Sequence, residues 1–110
     1  MSEESKYESI QCLELREGAK LILNHWSAGG FSKKTLARCK AVLDKFIPFL
    51  VGQSTFNWNQ VEKHHLESYS TWLDDKGYSV RTRVSDLSVI KKIIRTLVAE
   101  RRLPENCQIK

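Results

Sequence analysis

The chain has 110 residues, 41% hydrophobic and 28% charged, with five glycines and two prolines, which excludes a disordered low-complexity segment and a collagen-like repeat. No apolar stretch approaches the roughly 20 residues of a membrane-spanning helix, and the acidic start Met1-Ser2-Glu3-Glu4-Ser5 lacks the shape of a secretion signal, so the expectation is one small, soluble, cytoplasmic domain. The formal charge of +5 is uneven: Glu3, Glu4, Glu8, Glu14 and Glu17 against Lys6 and Arg16 give residues 1–17 a net −3, and the remaining sixteen bases and eight acids give residues 18–110 a net +8.

Residues 1–14 show no sustained period and read as a flexible tail. Leu15, Ala19, Ile22 and Trp26 recur at three- and four-residue steps up to the stop Gly29-Gly30, which predicts a first helix over 15–28. Ser32 is placed to cap a second helix with Leu36, Val42, Leu43, Phe46, Ile47 and Leu50 on its apolar face and Pro48 near its end. A loop over 52–59 follows, with Phe56 and Trp58 as its expected anchors on the core. The third helix is predicted over 61–76, with Gly77 in the left-handed capping position. Ser79 then caps a fourth, whose expected core stripe is Val80, Val84, Leu87, Ile90, Ile94, Leu97 and Val98, and Pro104 is the expected stop. The predicted fold is all-α, a compact bundle of four helices.

Chemistry is sparse. Cys12, Cys39 and Cys107 are too widely spaced for a metal pair or a disulfide framework and read as reduced thiols, buried or half-buried. The neighbours His64 and His65 point about 100° apart on a helix, so one half-buried and one solvated ring is expected in place of a metal site. Glu67, Asp74 and Asp75 lack calcium-loop spacing and read as a solvated helix end. No phosphate-loop or dinucleotide motif is present, no nucleophile has a base beside it, and no cofactor is implied.

The bases are the informative residues, because a basic body draws polyanions by long-range attraction and makes nucleic acid the leading partner class. Arg81, Ser88, Lys92, Arg95 and Arg102 fall along one side of the fourth helix, and Lys33, Lys34, Arg38 and Lys45 make a basic strip on the second. Two rival readings use other residues. A protein-docking module would expose Trp26, Phe56, Trp58 and Trp72, and a helix-turn-helix regulator would use the junction Gly77-Tyr78-Ser79.

The order of residues is also familiar. The run Ser32-x-x-Thr35-x-x-x-Cys39-x-x-x-Leu43-x-x-Phe46-x-x-Phe49-Leu50 resembles the N-terminal core-binding domain of the phage-type integrases, the tyrosine recombinases. So does Leu66-x-x-Tyr69-x-x-x-Leu73-x-x-x-Gly77-Tyr78-Ser79-x-x-Thr82 with the following Leu87-Ser88-Val89-Ile90-Lys91. The resemblance implies a SAM-like bundle over residues 15–104, with 105–110 opening a linker to a catalytic domain that carries the arginines, histidine and tyrosine nucleophile. It implies double-stranded DNA as partner, a monomeric isolated domain, a parent protein that acts as a tetramer, and no catalysis by this part. By position it implies DNA contacts from Lys33, Lys34 and Arg38 on the second helix and from Thr82, Arg83, Lys91 and Arg95 on the fourth, to which the basic side of the fourth helix adds Arg81 and Lys92 as candidate contacts.

Overall fold

Leu15, Gly18, Ile22 and Trp26 form the buried stripe of the first helix, α1 (Leu15–Ala28), at the spacing that the sequence predicts. In the computed structural model, which describes residues 13–104, three more helices follow: α2 (Lys33–Gly52), α3 (Lys63–Asp75) and α4 (Val80–Ala99). A 3₁₀ turn, Trp58–Gln60, lies between α2 and α3. The expected all-α four-helix bundle is the observed one, and the described residues hold no strand beyond an isolated bridge between Glu14 and Asn57. No helix among them is long and apolar enough to cross a membrane.

Side chains fix where each helix starts. Ser32 Oγ accepts the Thr35 N–H at 3.2 Å and Ser79 Oγ accepts that of Thr82 at 3.2 Å, so both predicted serine caps are in place. The Glu14 carboxylate caps α1 by accepting from the N–H groups of Arg16 and Glu17. α3 begins at Lys63, later than the sequence suggests, because the Glu62 N–H is taken by His65 Nδ1 at 2.9 Å. That bond leaves the His65 proton on Nε2, which donates to Thr55 Oγ1 at 3.1 Å and ties the chain leaving α2 to the start of α3. Burial, and then the neighbouring His64, hold the pKa of His65 below the ordinary histidine value against the pull of Glu62. His64 is exposed, so the pair divides into one buried and one solvated ring.

Each helix ends in the same reversal. Gly30, Ser54, Gly77 and Arg101 have φ of 89°, 57°, 90° and 60°. In each case the next N–H reaches back across the turn: Phe31 to Trp26 O, Thr55 to Leu50 O, Tyr78 to Leu73 O and Arg102 to Leu97 O, at 2.8–3.0 Å. α4 therefore ends at Ala99 through this turn, well before Pro104, and Arg102 lies beyond the helix that was expected to carry it.

The core is built from Leu15, Ile22 and Trp26 of α1, Val42, Phe46 and Leu50 of α2, Tyr69 and Leu73 of α3, and Ile90, Ile93, Ile94 and Leu97 of α4. Trp58 is fully buried and its Nε1–H donates to Leu15 O at 2.9 Å. Leu13 and Glu14, placed in the tail by the sequence reading, belong to this packing. Leu13 is buried and accepts the Trp58 N–H at 2.8 Å. The rest of that tail, the linker at 105–110, Cys12 and Cys107 lie outside the described residues. Cys39 is buried, and burial pushes its thiol up to about 11.

Three expectations need correction. Phe56 is exposed, because its loop is held instead by Trp58 and by Gln60 Oε1, which accepts the N–H groups of Phe56 and Asn57. Trp26 and Trp58 are core residues, so the aromatic docking surface of the rival reading does not form. Val80 and Val84 are 63% and 62% exposed. The buried arc of α4 runs through Asp86, Ile90, Ile93, Ile94 and Leu97, and a 100° step places both valines about 95–135° from its centre.

Candidate nucleic-acid interface

α2 and α4 are antiparallel, and three contacts spaced seven residues apart mark their seam. Phe31 meets Lys92, Arg38 meets Ser85, and Lys45 meets Tyr78. Seven residues are two helical turns, so the same side of each helix returns to the seam, with Phe31 and Tyr78 standing just ahead of the first turns of α2 and α4. Each rung contains a base held by a partner. Lys92 Nζ lies 4.7 Å from the Phe31 ring centre and 5.4 Å from that of Trp26, and these two rings stack at 5.2 Å. Lys45 Nζ lies 4.6 Å from the centre of the Tyr78 ring. Arg38 Nη2 donates to Ser85 Oγ at 2.6 Å.

Asp86 sits under the seam with a side chain that is fully buried. Its Oδ1 accepts from Arg38 Nη2 at 2.7 Å, and its Oδ2 lies 2.7 Å from Lys45 Nζ and accepts from Tyr69 Oη at 3.0 Å. Burial, together with the Asp86 charge and hydrogen bond, raises the Tyr69 pKa and keeps that phenol protonated. A buried carboxylate demands compensation. Here two cations answer one anion and leave a surplus positive charge where the Arg38 side chain is 38% and the Lys45 side chain 21% exposed.

The nine residues singled out in the sequence do not share one patch. Arg81, Lys92 and Arg95 are exposed with Ser88 on the outward ridge of α4, and Lys33 and Lys34 are exposed in the first turn of α2. Arg38 joins the two helices at the seam. Arg83 turns toward α3: its side chain is only 22% exposed, Nη1 is 4.0 Å from Asp74 Oδ1, and its buried Nε has no partner among the described residues. Lys91 lines an open groove of about 310 Å³ between α3 and α4, with Lys63, Leu66 and Glu67 among its neighbours. Thr82 is occupied in the cap, accepting from Ser79 Oγ at 3.2 Å.

Asp86 is the residue that sequence reasoning missed. Its place on the wheel between Ile90 and Ile93 was the available signal, since a carboxylate within an apolar arc requires buried cations. It is also the only acid in α4, so the five bases Arg81, Arg83, Lys91, Lys92 and Arg95 meet no exposed carboxylate from their own helix. Among the described residues no group of three or more histidine, cysteine, aspartate or glutamate side chains is placed to hold a metal ion. The surface therefore offers donors and positive charge, which suits the binding of an extended anion.

The chain is 26% identical over 77 residues to "Tyrosine recombinase XerC" of Herpetosiphon aurantiacus, an alignment covering 70% of this chain and 25% of that protein. It thus spans about a quarter of the length of that relative. No solved structure matches it. The family model described as phage integrase SAM-like domain matches residues 19–110. With more than four-fifths of its length inside that match, the chain belongs to the phage integrase SAM-like domain family.

Proposed function

We propose that this domain binds duplex DNA as one half of a clamp in a site-specific tyrosine recombinase, and that it cuts nothing itself. Its substrate-facing surface is the outward side of α4 with the adjoining edge of α2, where Lys34, Arg38, Arg81, Lys92 and Arg95 meet phosphates. Arg83 and Lys91 flank that surface on the α3 side. The observation that carries this reading is the ridge of α4, which is basic along its exposed length while its only acid is buried. Family membership supplies the context for it. Phosphate contacts of this kind position the protein without reading sequence, so a mixed-sequence duplex is an adequate ligand. Tyr69, with its hydroxyl buried and donated to Asp86, has no access to a phosphodiester. Bond cleavage and tetramer assembly belong, in this proposal, to other parts of the parent protein.

The test is fluorescence anisotropy with a mixed-sequence duplex at low and near-physiological salt. Wild type is expected to bind with a steep salt dependence. Arg95→Glu is expected to weaken binding and lower the salt slope by about 0.9 for the phosphate contact it removes. Its thermal midpoint should stay near that of wild type, because an exposed substitution changes stability by only about 0.5 kcal/mol. Wild type with no affinity at low salt, or Arg95→Glu indistinguishable from it, would overturn the assignment.

A further inference from the structure

We propose that Asp86 is a positioning residue for DNA binding, and that the two bases it holds, Arg38 and Lys45, form one preorganised phosphate site at the α2–α4 seam. The inference rests on the DNA-binding reading and deepens it by naming a contact, Lys45, and a residue that acts without touching DNA. Its starting point is an imbalance of charge. One cation would neutralise Asp86, yet Arg38 Nη2 and Lys45 Nζ both lie 2.7 Å from its oxygens, and the Tyr69 hydroxyl fills a further acceptor position. The second cation takes a further acceptor position of the carboxylate, but its charge exceeds what one anion neutralises. It remains as a net positive charge fixed at a partly open seam.

The geometry of Arg38 has the same sense. Both of its bonds, to Asp86 Oδ1 and Ser85 Oγ, come from Nη2. The edge formed by Nε and Nη1 has no partner among the described residues, and that edge of a guanidinium matches two oxygens of a phosphate. Lys45 supplies a point charge seven residues along the same helix, held between Asp86 and the Tyr78 ring. Fixing both side chains before DNA arrives removes the rotamer entropy that free surface bases lose on binding. The lysine on the next rung, Lys92, is fixed in a different way, over Trp26 and Phe31. The seam thereby presents held bases at each of three steps, which makes it a track for a phosphate backbone and sets it apart from the freely solvated lysines of the first turn of α2.

The sign of one substitution separates this role from a merely structural one. Asp86→Asn keeps the size of the side chain and adds one positive charge to the protein. If Asp86 served the fold alone, a folded Asp86→Asn protein would bind duplex as well as wild type or better, since extra positive charge strengthens attraction to polyanions. As a positioning residue its loss should weaken binding and lower the salt slope by between about 0.9 and about 1.8, because one or both bases lose their placement. The experiment is duplex anisotropy on the 110-residue chain carrying Asp86→Asn, Lys45→Gln or Arg38→Gln, with Arg95→Glu alongside and circular dichroism to establish folding. Lys45→Gln and Arg38→Gln are each expected to lower the slope by about 0.9. Should Asp86→Asn not fold, these two decide alone: a lowered slope in both supports the site, and an unchanged slope in either overturns it. A folded Asp86→Asn protein with unchanged or stronger binding overturns the positioning role. If Arg95→Glu weakens binding while the seam variants do not, the seam inference falls and the DNA-binding reading stands. If wild type does not bind, both fall.

Discussion

Gly18 and Trp58 show how closely single residues are matched in this core. A methyl group on Gly18 would stand 2.3 Å from Trp58 Nε1 and 2.4 Å from its Cδ1, and the indole cannot retreat without breaking its bond to Leu15 O. Gly18→Ala gains up to about 1 kcal/mol of helix propensity. Against this stand overpacking of about 1–3 kcal/mol and a lost buried hydrogen bond of about 1 kcal/mol. The net expectation is a loss of about 1–3 kcal/mol, read as a lower midpoint in thermal unfolding. Gly52→Ala is the control, because a methyl there meets nothing within 4 Å and only the propensity gain remains. A Gly18→Ala protein as stable as Gly52→Ala would contradict the packing account. No sequence pattern marks Gly18 as special, since its constraint comes from a tryptophan forty residues away in the chain. The partners of Asp86 were hidden for the same reason: Arg38, Lys45 and Tyr69 converge only after α2, α3 and α4 have packed.

Elements were more legible than contacts, because their determinants are local. Ser32 and Ser79 cap the helices assigned to them, and Gly77 takes the left-handed position at the end of α3. The reversals that close α2 and α4 escaped notice because they use Ser54 and Arg101, residue types that give no such signal at a position favouring glycine. The exposed Val80 and Val84 escaped for another reason. A three-or-four step describes either edge of a stripe equally well, and only the neighbouring helices decide which edge is covered. The irregular ends lead to a stability prediction. A non-glycine residue in the left-handed region costs about 1–2 kcal/mol, while glycine adds about 0.4–1 kcal/mol of unfolded-state entropy. Arg101→Gly should therefore stabilise the domain by about 0.5–1 kcal/mol, a rise of roughly 2–8 °C in the thermal midpoint. A fall in the midpoint would mean that the Arg101 side chain contributes more through its own interactions than its backbone conformation costs.

For the whole molecule the decisive property is surplus positive charge, which the composition already displayed, whereas its arrangement needed the fold. Residues 18–110 carry a net +8, and the only acid of α4 is buried beneath two bases. Folding draws these bases together within a radius of gyration of 14.2 Å, and their mutual repulsion opposes the compact state. Salt should then act in opposite directions on stability and on binding. Between about 0.01 M and about 0.15 M the screening length falls from ~30 Å to ~8 Å. That weakens repulsion across the molecule but hardly touches the 2.7 Å contacts of the buried Asp86. The thermal midpoint in sodium chloride is expected to rise by a few degrees, about 0.5 kcal/mol of relieved repulsion, while duplex affinity falls steeply as phosphate counterions compete. Chloride is the appropriate anion, because sulfate stabilises folded proteins through exclusion from their surface and would mask the effect. A midpoint that falls with added chloride would show that exposed ion pairs such as Arg83 with Asp74 outweigh the repulsion. The basic surface would then be held at no cost to the fold, and its charge would cease to be evidence that selection for an anionic partner had overridden stability.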